Sequence, residues 1–103
     1  MRVIITQRAG AQIATRRAWW RENRPAYRDL FDRELAHALG RIESAPLSSP
    51  VFTKHPGRTV RRRLLPKTRC HLCFEPQEST GEVWVVAAGG SQRKRPPRLQ
   101  DAP

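Results

Sequence analysis

Acidic residues are scarce in this chain: nine Asp and Glu stand against twenty Lys and Arg among 103 residues. The resulting formal charge of +11 and isoelectric point near 11.5 are required by no fold. They point instead to a polyanionic partner, whether nucleic acid, a ribosome, an anionic surface or an acidic protein segment. Cysteine is nearly missing as well. Two residues, Cys70 and Cys73, cannot build the disulfide framework of a small secreted protein, so a reducing cytoplasm is the expected setting. Long hydrophobic runs are also missing. The longest, Val83 to Ala88, is far below the roughly 20 residues of a membrane span, and the apolar part of the opening MRVIITQ is too short for a secretory signal. No membrane partner, small-molecule substrate or cofactor is expected.

What is present is organised around Val60 to Glu75, VRRRLLPKTRCHLCFE. This stretch reads as two short strands joined by a turn at Leu65-Pro66-Lys67-Thr68. Strand side chains alternate with period two, so Arg61 and Arg63 point one way and Arg62 the other. In the second strand Cys70, Leu72 and Phe74 oppose His71, Cys73 and Glu75. One face is therefore apolar and the other can hold charge. Such a hairpin is not stable alone, and the rest of the chain must cover its apolar side and extend its sheet.

Around it, Arg2 to Gln7 is β-branched and reads as a first strand. Arg8 to Asn23 is rich in Ala and Arg and reads as a helix with Ile13 and Trp20 on one face. Pro25 suits the first turn of a second helix, Ala26 to about Ser44. There Phe31, Leu35, Ala38, Leu39 and Ile42 repeat at helical spacing. The two helices form a hairpin whose apolar seam needs a sheet to pack on. From Ala45 to Thr59 three prolines and a glycine suggest a loop pinned by Val51 and Phe52. Glu82 to Ala88 reads as a covered strand ended by Gly89-Gly90. The expected fold is thus α+β in the order β-α-α-β-β-β: an N-terminal strand, a helical hairpin and a three-stranded antiparallel meander in one small sheet. Residues 1–90 form one domain, and 91–103 a basic, proline-rich, flexible tail with too little apolar surface to fold alone.

Cys70 and Cys73 form a C-x-x-C around His71. On a strand, residues three apart face opposite sides, so the pair can neither chelate one metal ion nor close an unstrained disulfide. No metal site is expected.

The run Trp19-Trp20-Arg21-Glu22-Asn23-Arg24-Pro25, Phe31 with Glu34-Leu35 and Ala38-Leu39, Val60-Arg61-Arg62, then Leu64 to Arg69 with His71-Leu72, and Val83 to Ala88 followed by basic residues resembles the RelE/ParE superfamily of type II toxin-antitoxin toxins. The likeness runs from Arg2 to about Leu99 and lies in order and spacing rather than in one motif. It implies a small toxin held inactive by a cognate acidic antitoxin, with DNA gyrase as the target of the ParE-like branch. The RelE-like branch instead cleaves messenger RNA on the ribosome without a metal.

Metal-free RNA cleavage needs a base, cations and an acid. The resemblance brings Arg62, Arg69, His71 and Arg93 forward as catalytic candidates. The chain lacks the tyrosine or histidine that the nucleases carry after the last strand, which favours the non-enzymatic ParE-like branch. Target or nucleic-acid contact is expected from Arg61, Arg62, Lys67, Arg69, Arg93, Lys94 and Arg95. Antitoxin contact is expected from Trp19, Trp20, Phe31, Leu35 and Arg61, through an acidic amphipathic segment laid across the helical hairpin and the sheet edge. A plain basic nucleic-acid-binding protein is the third reading.

Overall fold

The computed structural model describes residues 1–90; Arg93, Lys94, Arg95 and the rest of the expected tail lie outside them. Strand β1 (Arg2–Ile5) leads into helix α1 (Gln7–Asn23), a 3-10 turn at Pro25–Tyr27, and helix α2 (Leu30–Ser44). A second 3-10 turn at Pro46–Ser48 precedes β2 (Val51–His55), β3 (Arg58–Leu65), β4 (Cys70–Gln77) and β5 (Glu82–Gly90). The five strands make one sheet in the order β1-β5-β4-β3-β2. All neighbours are antiparallel except β1, which runs parallel to β5 from Arg2 beside Glu82 to Ile5 beside Val85.

The α+β class and the helical hairpin match the expectation, but the meander has four strands rather than three. Ala45 to Thr59 is not a plain loop. Its prolines punctuate a strand instead of preventing one: Pro46 opens the 3-10 turn, Pro50 precedes β2, and Pro56-Gly57 turns β2 into β3. Gly57 sits at φ 73, a conformation that glycine adopts without steric cost. Pro25 starts a 3-10 turn, and α2 begins at Leu30 rather than Ala26.

The first strand stops at Ile5 because Thr6 is the N-cap of α1, its hydroxyl accepting from the Ala9 N–H at 3.2 Å. Gly89 and Gly90 lie inside β5, opposite His71 and Cys70. A side chain at position 90 would meet the Arg16 guanidinium at 2.5 Å, so glycine there makes room for that cation. The β3–β4 turn occupies residues 66–69, and Arg69 at its end takes φ 61.

Both helices lie on one face of the sheet. The main core gathers Ala9 and Ile13 of α1 and Phe31, Leu35, Ala38 and Ile42 of α2 against Leu65, Leu72, Phe74 and Val85 of the strands. Phe31 and Phe74 are fully buried, and each contributes roughly 1.5–3 kcal/mol of apolar burial. Trp20 packs on the same core from the partly exposed end of α1. The helical hairpin is clasped by Asp32, which accepts from Arg17 Nε at 2.6 Å and Arg21 Nη2 at 3.1 Å. The hydrogen bond from Arg17 is the main reason its carboxyl titrates below the usual range. Gln12 Oε1 accepts from the Ala88 N–H at 2.8 Å and ties α1 to the end of β5.

Period two holds through β4: Cys70, Leu72 and Phe74 enter the main core, whereas Cys73 joins Val60 and Ala87 in a second cluster on the other face. In β5 a register shift opposite Cys73 and Phe74 leaves Val86 between the residues paired with them. This bulge is why Val83, Val85 and Ala88 can all face the helices while Ala87 faces away. No helix among the described residues is long and apolar enough to cross a membrane.

Candidate polyanion-binding site

The face of the sheet opposite the helices is built from β2, β3, β4 and β5. On it Arg62 lies over the Phe52 ring, 4.0 Å from the centroid, a cation–π contact. Cys73 stands opposite Arg62 in the ladder, and His71 stands opposite Leu64. Arg62 and His71 line one cleft of about 330 Å³ together with Ser48, Ser49, Pro50 and Leu64.

Burial lowers the pKa of His71 below its ordinary value. The Arg62 charge lowers it further, a backbone interaction with Gly90 works the other way, and Arg69 adds a smaller lowering. Its imidazole is therefore neutral at pH 7. The Nδ1 atom is buried without a hydrogen-bond partner among the described residues.

Of the residues singled out from the sequence, Arg62 and His71 come together here, and Arg69 acts on His71 only through its charge. Arg61 and Arg63 point to the other side of β3, as the alternation requires. Arg61 Nη1 donates to the Ser49 carbonyl at 2.7 Å, and Arg63 Nη1 reaches Ser49 Oγ at 3.5 Å. Arg61 thus holds the 45–50 connection in place. The Lys67 side chain borders a separate cleft beside α2. The expected antitoxin contacts divide. Trp19 is 45 % exposed, with its ring edge-on to Trp20 and Arg24 over it. Phe31 is fully buried and Leu35 is 6 % exposed, both inside the core. Arg93, Lys94 and Arg95 lie outside the described residues.

Two groups escaped the sequence reading. Glu75 is fully buried on the open face and receives a two-pronged contact from Arg58, Nε to Oε1 at 2.8 Å and Nη2 to Oε2 at 2.6 Å. Alternation along β4 put Glu75 on this face, but Arg58 fell in a segment read as loop. Glu34 is the second. Its carboxylate accepts from the Lys67 N–H, the Thr68 N–H and the Thr68 hydroxyl, each at 2.8 Å. Burial alone would raise its pKa, but these donors outweigh it and hold the carboxyl below the ordinary range. No local pattern announces a contact between α2 and a turn more than thirty residues away.

The cleft around His71 offers a neutral imidazole that can accept a proton and guanidinium groups that can neutralise a phosphate. Among the described residues that line it there is no Asp, Glu or Tyr. Glu75, the buried carboxylate of this face, is held by Arg58. No protein family, curated protein or solved structure matches the chain.

Proposed function

We propose that this protein is the toxin of a type II toxin-antitoxin pair, of RelE/ParE type, kept inactive in the cytoplasm by a cognate acidic antitoxin. On this reading it acts as a ParE-like inhibitor that binds DNA gyrase rather than as an enzyme. The observation that carries it is the two-sided sheet. A helical hairpin consumes one face, and the other holds Arg62 and His71 in one cleft of a chain with an excess of eleven positive charges. This arrangement suits the binding of a polyanion, and the lack of an acid among the described residues that line the His71 cleft weighs against nucleolytic chemistry.

A RelE-like ribosome-dependent endoribonuclease is the second reading. It is favoured by one observation, His71 and Arg62 lining the same cleft, where burial lowers the imidazole pKa toward the neutral form that a general base needs. Induction of the chain alone in cells separates the two. Filamentation and the SOS response with intact messages are expected. Prompt loss of amino-acid incorporation with cleaved messages, abolished by His71→Ala, would instead establish the nuclease. A chain that arrests neither process would remove the toxin reading.

A further inference from the structure

Helix α1 buries Ala9 and Ile13 in the main core and turns Arg17 and Arg21 toward Asp32 of α2. Its opposite flank carries Gln12, Thr15, Arg16 and Trp19, which the helical repeat sets in one stripe. Together with Ala88 of β5 they line a cleft of about 300 Å³, at the lower end of the range for ligand sites. Among the described residues that line it there is no Asp or Glu. We propose that this cleft binds a nucleotide, with the base stacked on the Trp19 indole and the phosphate on the Arg16 guanidinium. The cleft shares no described residue with the His71 cleft, and nucleotide binding there is independent of the toxin reading.

Both principal groups are already held in place. Trp19 is nearly half exposed, yet its ring is fixed by Trp20, edge-on at 5.4 Å, and by the Arg24 guanidinium 5.6 Å from its centroid. Arg16 Nη2 fills the space that a side chain at position 90 would take, which sets its charge against the end of β5. The ion pairs among the described residues engage Arg2, Arg17, Arg21 and Arg58; Arg16 takes part in none of them. The other two polar groups are turned to the backbone. Thr15 gives its hydroxyl proton to the Ala11 carbonyl at 3.1 Å, and Gln12 Oε1 accepts from the Ala88 N–H, so the charge of the cleft is that of Arg16.

An indole and a guanidinium in one small cleft match a ligand that is flat at one end and anionic at the other. A nucleotide has both properties. Its base can stack on an aromatic ring whatever its identity, and its phosphate oxygens accept the paired donors of a guanidinium. An acidic peptide would satisfy the cation but bring no flat body to the indole, and a cleft of this size admits one planar group rather than a helix. The excess of eleven positive charges draws polyanions to the whole surface, whereas stacking is what would localise one here. Because the indole and the guanidinium are already positioned, little ordering cost opposes the binding.

The test titrates the purified full chain with adenosine 5′-monophosphate and, separately, with a tetra-adenylate, followed by amide and indole NMR. The expected result is salt-sensitive binding with shifts centred on Trp19, Arg16 and Ala88. Trp19→Leu and Arg16→Gln should each weaken it about tenfold. Lys54→Gln, which removes an equal charge from β2, should weaken it by about twofold at most. An abasic tetramer that binds as tightly as the tetra-adenylate would overturn stacking. So would shifts centred on Arg62 and His71 with Trp19 unmoved, or no binding at about 1 mM. Contacts from residues 91–103 to Trp19 in the free protein would give the cleft to the chain's own end and also overturn the proposal. Of the two supporting outcomes, monophosphate binding as tight as that of the tetramer assigns a free nucleotide, and tighter binding of the tetramer assigns a single strand.

Discussion

The two faces of the sheet are stabilised in different ways. Beneath the helices, Leu65, Leu72, Phe74, Val83 and Val85 pack on Phe31, Leu35 and Ile42 with no ionised group among them. On the opposite face a small cluster of Val60, Cys73 and Ala87 shares the strands with a buried carboxylate, the arginine bound to it and a half-buried histidine. The first face gains its free energy from area removed from water, which is non-directional and does not depend on pH near neutrality. The second depends on specific partners, because a buried charge without one costs several kcal/mol. The open face is therefore where a single substitution, a proton or a polyanion alters the protein most selectively.

Truncation of each face should expose this contrast. Phe74→Ala on the covered face is expected to cost about 3–5 kcal/mol in denaturant unfolding, the range of a cavity left by a large core side chain. No change at position 75 should relieve it. Arg58→Ala on the open face is expected to cost about 3 kcal/mol, the lower end for a broken buried ion pair, since Arg58 keeps some exposure of its own. Here the loss has a partner: with Arg58→Leu and Glu75→Leu combined, most of the stability should return, because a matched apolar pair strands no charge. If the double variant is as unstable as the sum of its singles, the open face is packed like the covered one and the contrast fails.

Glu34 lies between these extremes. It carries α2 onto the β3–β4 turn through three hydrogen bonds from Lys67 and Thr68, one of them from the buried Thr68 hydroxyl. Glu34→Ala should cost about 1–2 kcal/mol, less than Arg58→Ala because the exposed Lys67 N–H can turn to water. Its folded pKa is lowered, so its contribution is present above the unfolded value near 4.5 and is lost as pH falls through the folded value. Denaturant midpoints compared at pH 7 and pH 3 should therefore show the penalty of Glu34→Ala shrinking in acid. A penalty of equal size at both pH values would mean that the carboxylate does not anchor the turn.

The sequence made one of these faces far more legible than the other. The helical repeat of Phe31, Leu35, Ala38 and Ile42 and the alternation of Cys70, Leu72 and Phe74 are local periodicities, and every one of these residues is in the main core. Trp20 and Ile13 share a face for the same reason. The open face depends on pairings that periodicity does not record. β2 was hidden because its flanking prolines resemble a loop, although Val51 to His55 followed by Pro56-Gly57 also fits a strand and a hairpin turn. With β2 and the first residues of β3 unseen, the partner of Glu75 and the stacking of Arg62 on Phe52 could not be anticipated. The bulge at Val86, which explains apolar residues on both sides of β5, likewise appears only once the register is known. Within the candidate site, Arg62, Arg69 and His71 were brought forward by the resemblance, and the cleft that Arg62 and His71 share required the geometry.

The mildest test of the contrast is titration of His71. Its folded pKa lies below the ordinary 6.5, chiefly through burial and then through Arg62. On acidification from pH 7 the unfolded chain binds the proton first, so this residue subtracts stability as pH falls through 6.5 toward the folded value and adds no further loss below it. The penalty is fully absent only above the unfolded value. His71→Gln should flatten the stability profile between pH 7.5 and 5.5, with His37 and His55 still present in both proteins so that the difference isolates position 71. A bound polyanion on the open face should act in the opposite sense, since a phosphate beside His71 favours its protonated form and raises its pKa. Following the imidazole by NMR with a short single-stranded oligonucleotide would thus show the titration moving to higher pH if Arg62 and His71 share the anion. An unmoved titration would assign polyanion binding to another surface and leave the open face with a structural role alone.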